Sequence, residues 1–367
     1  MKNKKHTLYY IIAGEASGDL HGFHLMKSIN KITPNIIFRG IGGPRMQSCG
    51  LKSLADFNRI AVMGFIEVLY DLFFFIKLKK FLIKDIKQNS PKKIILIDYP
   101  GFNLSLAKAI KNFTNIPVFF YISPQVWAWK EGRIQQIKKY IDKLIVIFPF
   151  EVEWYKKRGV SVEFFGHPLI DIAYKQNVFS LKKSPKTIGL FPGSRKQEIL
   201  KHLPLLRQTM SILRAQGAGV QFVLCRAPGL DDKTKQQLND LDIERVVNSS
   251  QEALLGCDAA IVASGTATLE CAITQTPFVV IYKTSIISWF IAKYFLSIPF
   301  VSIVNIIANK KIVKEFLQNN AKPQQIAHET LRLLNRPEKT KKNLLKVRDS
   351  LGAGDVYKNT AQFIVNY

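Results

Sequence analysis

Short apolar runs rich in β-branched and aromatic residues alternate along this chain with longer segments whose apolar residues have helical spacing. Such an alternation is typical of parallel β-sheets covered by helices, and it assigns the chain to the α/β class. The predicted strands are Leu8–Ala13, Ile36–Gly40, Lys93–Ile97, Val118–Ile122, Leu144–Phe148, Thr187–Phe191, Gln221–Cys225, Ala259–Ala263 and Pro277–Tyr282. The clearest predicted helices are Leu104–Lys111 and Leu200–Ala215.

The alternation is interrupted by the polar stretch Asp171–Lys186, and 367 residues are enough for two domains of ordinary size. We therefore predict two Rossmann-like domains facing across a cleft, formed by residues 1–170 and 171–345. Residues 346–367 are predicted to form a C-terminal helix. The sequence Gly352-Ala353-Gly354 would let that helix pack on the first domain or on a second copy of the chain, so a homodimer is compatible with the sequence.

The beginning of the sequence resembles a signal peptide, because basic residues precede the apolar run Leu8–Ala13. Acidic Glu15 and Asp19 follow at once, which favours a strand that enters a glycine-containing loop. No window reaches about 18 uncharged apolar residues, so no membrane-spanning helix is predicted. The cysteines form no CxxC pair, which favours a reducing compartment and predicts neither zinc nor disulfides. They are Cys49, Cys225, Cys257 and Cys271.

Lysine and arginine together number 53 against 27 acidic residues, which gives a formal net charge of +26. An excess of this size indicates an anionic partner such as nucleic acid, a nucleotide or phospholipid headgroups, although a lysine-rich composition alone would also produce it. The basic residues are spread along the chain and do not cluster with aromatics in a recognisable module. A nucleic-acid-binding protein is therefore not favoured.

Two loops in the second predicted domain have the composition of nucleotide-binding loops. Each follows a predicted strand and leads into a helix, where free N–H groups bind anions and an arginine fork fits a diphosphate. The residues are Gly193, Ser194 and Arg195 in one loop and Ser264, Gly265, Thr266 and, one turn later, Glu270 in the other. Ordinary helix capping explains each loop separately, but the pair favours a nucleotide site. Neither loop is a GxGxxG or Walker motif, so NAD binding and ATP hydrolysis are not favoured.

In the first domain, Asp98 follows the buried strand Lys93–Ile97. A carboxylate at this place accepts a proton from a substrate hydroxyl if its geometry and pKa are suitable, and a turn aspartate is the alternative. His21, His24 and His167 lack the further ligands that a metal site requires. We predict that His21 and His24 are solvated or core residues, and that His167 has a structural role or lines the cleft.

A third feature is a bulky apolar stretch at residues 64–76 that is followed by a group of lysines. The four consecutive residues Leu72–Phe75 cannot all lie on the one face of a helix that packs against a core. This favours a helix that lies on an anionic membrane, and a deeply buried helix is the alternative. The residues predicted to contact the membrane are Phe65, Leu69, Leu72, Phe73, Phe74, Phe75, Lys77 and Lys80. The second such run, Ile286–Val301, is predicted to be a core element with one exposed edge.

Taken in order, these motifs resemble those of the lipid-A-disaccharide synthases, inverting transferases of glycosyltransferase family 19 with a GT-B fold. The most specific are GEASGD at Gly14–Asp19 and SPQVWAWKEGR at Ser123–Arg133. The others are GGPRM at Gly42–Met46, VMGFIEVL at Val62–Leu69, IDYPGFN at Ile97–Asn103, PGSRKQEI at Pro192–Ile199 and ASGTATLE at Ala263–Glu270. The resemblance covers nearly the whole chain.

The resemblance implies that UDP-2,3-diacylglucosamine donates its sugar to the 6-hydroxyl of 2,3-diacylglucosamine 1-phosphate. The products would be a β-1,6-linked disaccharide 1-phosphate and UDP, and no metal or cofactor would take part. It also implies a cytoplasmic protein bound peripherally to the anionic inner membrane of a Gram-negative bacterium.

By position, Asp98 resembles the family's essential aspartate, which implies that it is the general base. The two glycine loops would bind the UDP-sugar together with Asn305 and Gln318. The motif residues expected to line the acceptor side or the cleft are Glu15, Ser17, Asp19, Met63, Glu67, Asn103, Ser123, Gln125 and Trp127. The chain departs from the family at Gly101, where many members carry a second acid, and at Val304, where they carry proline.

Two related functions are the nearest alternatives. One is another GT-B transferase that acts on a lipid-linked sugar, such as the peptidoglycan N-acetylglucosaminyl transferases, whose GGTGGH-like first loop differs from GEASGDLHG here. The other is a UDP-N-acetylglucosamine epimerase of similar fold, which would need no membrane-facing helix.

Overall fold

The structure is a computed structural model that describes residues 7–61, 72–128, 131–173, 185–217, 219–227, 229–284 and 299–367. The chain divides into two compact units. The first unit comprises Met1–Asp171 and Ala353–Tyr367, and the second comprises Ile172–Gly352. Each unit is an α/β domain that is built on one parallel sheet.

The first sheet has seven strands in the order β3-β2-β1-β4-β5-β6-β7. They are β1 (Thr7–Ala13), β2 (Ile36–Ile41), β3 (Leu51–Ser53), β4 (Lys93–Ile97), β5 (Val118–Tyr121), β6 (Lys143–Val146) and β7 (Val162–Phe164). Strands β4 and β5 are buried along their whole length, as expected for central parallel strands with helices on both faces. The strand order reverses between β1 and β4, which is where folds of this type bind ligands.

Eight helices of the described chain belong to this part of the sequence. They are α1 (Ala16–Ile32), α2 (Pro44–Ser48), α3 (Phe57–Ala61), α4 (Leu72–Asn89), α5 (Pro100–Lys111), α6 (Ile134–Tyr140), α7 (Pro149–Lys156) and α8 (Leu169–Ala173). Helix α4 packs inward through Leu78, Leu82 and Ile86. A buried cluster fixes its position, because Asp85 accepts hydrogen bonds from Arg39 and from Tyr10 Oη (3.2 Å).

The second sheet has six parallel strands in the order β10-β9-β8-β11-β12-β13. They are β8 (Lys186–Phe191), β9 (Val220–Cys225), β10 (Arg245–Val247), β11 (Ala259–Ala263), β12 (Phe278–Tyr282) and β13 (Glu315–Leu317). The described helices around it are α9 (Lys196–Ala215), α10 (Asp232–Asn239), α11 (Ser250–Leu254), α12 (Thr266–Ile273), α13 (Ile303–Ala308), α14 (Pro323–Asn335) and α15 (Glu338–Ser350). Its core includes Ile188, Leu206, Phe222 and Ile261.

The last helix, α16 (Val356–Asn366), returns to the first unit, where it packs on α1. Residues 346–350, which were predicted to belong to this helix, instead complete α15. The buried ammonium of Lys93 donates to the carbonyl oxygens of Ile364 and Val365, the latter at 2.7 Å. Near the other end of α16, Tyr357 Oη lies 2.8 Å from His21 Nδ1. A lysine at a helix C-terminus satisfies carbonyls that the helix leaves free, so these contacts fix α16 to the first sheet.

Some predicted features lie outside the described residues. These are Met63, Phe65, Glu67 and Leu69, together with most of the run Ile286–Val301. Among the helices that are described, none is both long enough and apolar enough to cross a bilayer.

Candidate functional site

Asp98 leaves the first sheet at the point where the strand order reverses. Ala13 at the end of β1 lies opposite Ile97 at the end of β4, so Glu15 and Asp98 emerge from adjacent strands. Asp98 and Tyr99 have φ values of +47° and +51°, a region that residues with a side chain rarely occupy. Strained backbone of this kind is concentrated at functional sites, where the surrounding structure holds it in place.

Asn103 holds this strained turn. Its Nδ2 donates to the carbonyl oxygens of Asp98 (2.7 Å) and Ile97 (3.3 Å), and its side chain is completely buried. From the other side, Asp98 N donates to Tyr121 O at 3.0 Å. Asn103 was predicted among the residues that line the acceptor side, and in the structure it positions Asp98.

The environment of Asp98 raises its pKa to about 6. Burial is the largest cause, the negative charge of Glu15 adds to it, and a hydrogen bond from the Tyr99 backbone opposes both. As a residue, Asp98 is nevertheless only partly buried. A carboxylate with a raised pKa is a better proton acceptor than an ordinary aspartate, and it is still ionised at neutral pH.

Gly14, between β1 and Glu15, has to be glycine because the ring of Tyr99 lies against it. A Cβ atom at position 14 would lie 2.5 Å from Tyr99 Cδ1. We expect Gly14→Ala to displace this ring, to reduce turnover and to lower the free energy of unfolding by about 1–3 kcal/mol. Chemical denaturation and initial rates measure both effects.

Gly101 provides the matched control for this substitution. It lies in the first turn of α5, and a Cβ atom there would meet nothing within 4 Å. Gly101→Ala should therefore leave turnover unchanged and raise stability slightly, because alanine is the better helix former. Equal effects of the two substitutions would contradict the proposed contact between position 14 and Tyr99.

The Ser123-to-Trp127 segment, which follows β5, is held by a buried glutamate that sequence reasoning missed. Glu151 Oε1 accepts hydrogen bonds from Ser123 Oγ (2.6 Å) and Trp127 Nε1 (3.0 Å). Its Oε2 accepts from the backbone N–H groups of Ile147 (3.2 Å) and Phe148 (3.0 Å). Burial raises the pKa of Glu151 to about 7, although these four donors counteract the increase.

Other predicted residues of the first unit have different environments. Asp19 is buried, and its two carboxylate oxygens accept from the N–H groups of Arg45 (3.1 Å) and Met46 (3.0 Å), so it caps α2. Glu15, Ser17 and Gln125 are exposed and remain available to a ligand.

In the second unit, the loop after β8 carries Gly193, Ser194 and Arg195. Gly193 has a φ of +112°, and the exposed Arg195 side chain is 82% accessible at the start of α9. The buried His202 holds this loop, because its Nδ1–H donates to Pro192 O (2.7 Å) while its Nε2 accepts from Lys283 N (2.9 Å). His202 thus ties the end of β8 to the end of β12. Sequence reasoning missed it because Lys283 is distant in sequence.

The loop after β11 leads directly into α12. Gly265 is its N-cap residue with a φ of +153°, and no side chain caps the first turn that Thr266 begins. Ser264 Oγ donates to Val301 O at 2.9 Å. Glu270 is partly buried, which raises its pKa, and it accepts from Ser250 Oγ at 2.6 Å. The free N–H groups at this helix start are suited to an anionic ligand.

Asn305 and Gln318 differ in what they offer a ligand. The Asn305 amide uses all its hydrogen-bonding capacity internally, donating to Val313 O and Glu315 Oε1 and accepting from the N–H groups of Ile312 and Val313. It therefore organises the chain before β13. Gln318 Oε1 accepts from Thr284 N at 3.3 Å, while its Nε2 is buried without a partner among the described residues. A buried donor without a partner is a candidate ligand contact.

Within the described residues, no group of three or more His, Cys, Asp or Glu side chains has the arrangement of a metal site. His167 is buried, and its Nδ1 accepts from Leu169 N at 3.2 Å. His21 lies against Tyr357, and the His24 ring stacks on Tyr357 as well. These three histidines are part of the packing of the first unit.

Comparison with solved structures shows the same two-domain architecture. The chain superposes on the glycotransferase of kitacinnamycin with a TM-score of 0.66 at 12% identity, covering 99% of both chains. A putative UDP-N-acetylglucosamine 2-epimerase from Listeria monocytogenes gives 0.65 at 10% identity, covering 98% of this chain and 95% of that one. These identities are low, so the likeness concerns the fold alone, and it confirms the predicted GT-B architecture.

The sequence comparisons identify the family. The chain is 40% identical over 359 residues to the lipid-A-disaccharide synthase of Syntrophus aciditrophicus (strain SB), and the match covers 94% of each protein. The family model for lipid-A-disaccharide synthetase matches residues 9–364. The chain therefore belongs to the lipid-A-disaccharide synthetase family, and it is a glycosyltransferase of lipid A disaccharide synthesis.

Proposed function

We propose that this enzyme transfers the sugar of UDP-2,3-diacylglucosamine to the 6-hydroxyl of 2,3-diacylglucosamine 1-phosphate. The bond from the anomeric carbon to UDP breaks, the bond to the acceptor oxygen forms, and the configuration inverts in a single displacement. The observation that carries this proposal is Asp98, a partly buried carboxylate of raised pKa on a strained turn at the strand-order reversal.

In this proposal Asp98 is the general base. It accepts the proton of the acceptor hydroxyl as the oxygen attacks, which requires the ionised carboxylate. Burial and Glu15 give this carboxylate a pKa of about 6, so most of it is ionised above that pH. Exposed Glu15, Ser17 and Gln125 are the proposed acceptor contacts near it.

The second unit binds the donor in this proposal. Arg195 and the first turns of α9 and α12 stabilise the diphosphate, whose negative charge grows as UDP leaves. Ser194, Ser264 and Thr266 provide hydroxyl groups, Glu270 accepts from the ribose hydroxyls, and Gln318 Nε2 donates. The reaction requires that the sugar held by the second unit meets the acceptor held by the first.

The direct test is to incubate the pure protein with both acylated glucosamines and to identify the product by mass spectrometry. We expect a disaccharide monophosphate and an equimolar amount of UDP, with a β-1,6 linkage by NMR. Hydrolysis of the donor without transfer, or transfer to a different hydroxyl, would contradict the proposal.

The outer face of α4 supports peripheral binding to an anionic membrane. Leu72, Phe73 and Ile76 are 54%, 78% and 38% exposed at its start, and Lys77 and Lys80 are exposed beside them. Phe75 is buried, and Phe74 is partly buried with the Arg59 guanidinium 4.1 Å from its ring centre. Exposed aromatic residues next to lysines are typical of helices that lie at the surface of an anionic membrane.

We expect Phe73→Asp to weaken binding to vesicles that contain anionic lipid by roughly tenfold, because it places a charge among the inserting residues. Liposome flotation measures this effect, and the affinity for UDP should not change. Leu255→Asp is the matched control, since Leu255 is an exposed apolar residue of the second unit at 37%. Equal flotation of the two variants and the wild type would rule out membrane contact through α4.

The sequence is compatible with a homodimer in which the C-terminal helix packs on a second copy of the chain. In the structure α16 packs on the first unit of its own chain. Sedimentation of the pure protein at several concentrations would detect a dimer that forms by another surface.

A further inference from the structure

A cavity of about 370 Å³ lies at the amino-terminal edge of the second sheet. Its wall includes Phe278, the first residue of β12, and Lys314, which directly precedes β13. Because all six strands are parallel, this edge is opposite to the one from which Arg195 and Thr266 emerge. The cavity is therefore separate from the proposed UDP-sugar site.

The lining of this cavity is strongly basic. Four of its eleven residues are cationic, whereas lysine and arginine make up 53 of 367 residues in the chain. The four are Lys311, Lys314, Arg332 and Lys339, and the acidic residue among the lining residues is Glu329. Positive charges that converge in one concave surface repel each other and attract an anion.

Glu329 orients two of these cations. Its side chain is 2% exposed, and its Oε1 accepts from Arg332 Nε (2.9 Å) and Nη2 (2.6 Å). Its Oε2 forms an ion pair with Lys314 Nζ at 2.5 Å. The carboxylate is therefore neutralised, and it restricts the motion of the arginine and the lysine, which lowers the entropy cost of binding a ligand.

Neutral hydrogen-bond donors complete the lining. Thr340 is 4% exposed, and it lines the cavity. It lies in the first turn of the 13-residue helix α15, whose N-cap residue Pro337 offers no side-chain cap. The N–H groups of such a turn are free to bind an oxyanion. Asn343 lies one turn further along the same wall.

We propose that this cavity binds a phosphate group as a second anion site of the enzyme. A phosphate has three acceptor oxygens and a charge near −2, which fits several lysines, an arginine, a hydroxyl and a free helix start. The phosphate belongs to a small soluble phosphate monoester or to a lipid headgroup, and these two sources share the chemistry that the cavity recognises.

The first test is calorimetric titration of the full-length protein with glycerol 3-phosphate while saturating UDP occupies the donor site. We expect saturable binding that Lys339→Gln weakens by roughly tenfold, because it removes one charge-assisted contact. Lys341→Gln is the matched control: the residue is an exposed lysine of α15, two positions away and outside the cavity lining. It should change the affinity by less than about twofold.

The second test repeats the comparison with vesicles that contain phosphatidic acid, using co-sedimentation. Weaker sedimentation of Lys339→Gln than of Lys341→Gln, without binding of glycerol 3-phosphate, identifies a lipid phosphate as the ligand. Binding of glycerol 3-phosphate identifies a soluble one. If the two variants behave alike with both probes, the cavity is not a phosphate site. Both variants should keep the wild-type affinity for UDP, which separates this result from a failure of the proposed function.

Discussion

Asp98→Asn is expected to lower kcat by about 10³-fold, since a positioned general base contributes 10²–10⁴-fold and an amide cannot accept the proton. Asparagine keeps the shape of aspartate and tolerates a positive φ, so the strained turn should persist. The measurement is the initial rate of disaccharide formation. Asp56→Asn, at an exposed turn of the same unit, should keep wild-type rates. Wild-type turnover in Asp98→Asn would remove Asp98 from the role of base.

The same substitution should stabilise the protein near neutral pH. Burial and Glu15 raise the pKa of Asp98 from 3.8 to about 6 in the folded state, so the ionised carboxylate disfavours folding. The shift corresponds to at most about 3 kcal/mol, reached above pH 6 and absent below about pH 4. Asp98→Asn should therefore show a gain in unfolding free energy that disappears on acidification. A loss of stability at every pH would indicate that the carboxylate has a structural role.

Glu151→Gln is expected to lower the free energy of unfolding by about 2–4 kcal/mol, and to reduce turnover with it. All four groups that contact the Glu151 carboxylate are hydrogen-bond donors, two at each oxygen. The amide of glutamine keeps only one acceptor oxygen, and its NH₂ group would point at two of these donors. The segment from Ser123 to Trp127 would then lose the group that fixes it. Urea unfolding followed by tryptophan fluorescence measures the change.

Glu153→Gln is the control, because it makes the same chemical change two residues away on α7. Its side chain is 67% exposed, and its ion pair with Lys156 spans 4.0 Å. Surface pairs of this kind contribute about 0–1 kcal/mol, so Glu153→Gln should differ little from wild type. Similar losses in the two variants would mean that the Glu151 network is not what holds the segment.

The sequence predicted the long central strands of both sheets, within two residues at each end, because apolar runs such as Lys93–Ile97 are buried on both faces. The predicted strand Leu144–Phe148 is observed at Lys143–Val146, since its last two residues already lead into α7. Four strands were missed, β3, β7, β10 and β13, and each has three residues at a sheet edge. A strand of three residues at an edge is defined by pairing with its neighbour, and it carries no periodic pattern of its own.

In the candidate site, too, the sequence predicted the residues that have a local pattern and missed those that are defined by contacts with other elements. Asp98, Arg195 and Gly265 were predicted because a strand end in a parallel sheet marks them locally. Glu151 and His202 were missed because their partners come from other elements, although Glu151 in the first turn of a helix that begins with proline is a local capping signal. Asp19 and Asn305 were predicted to contact the substrates, but their side chains form hydrogen bonds within the protein. These partners also come from other parts of the chain.

The attachment of α16 to the first sheet by Lys93 has a consequence for biosynthesis. A strand made early in translation depends on carbonyl groups near residue 365 to satisfy its buried ammonium. The continuous second unit, residues 172–352, has all its parts once residue 352 has emerged from the ribosome, whereas the first unit still lacks α16 at that point. The first unit should therefore finish folding after the second, although most of it is synthesised earlier.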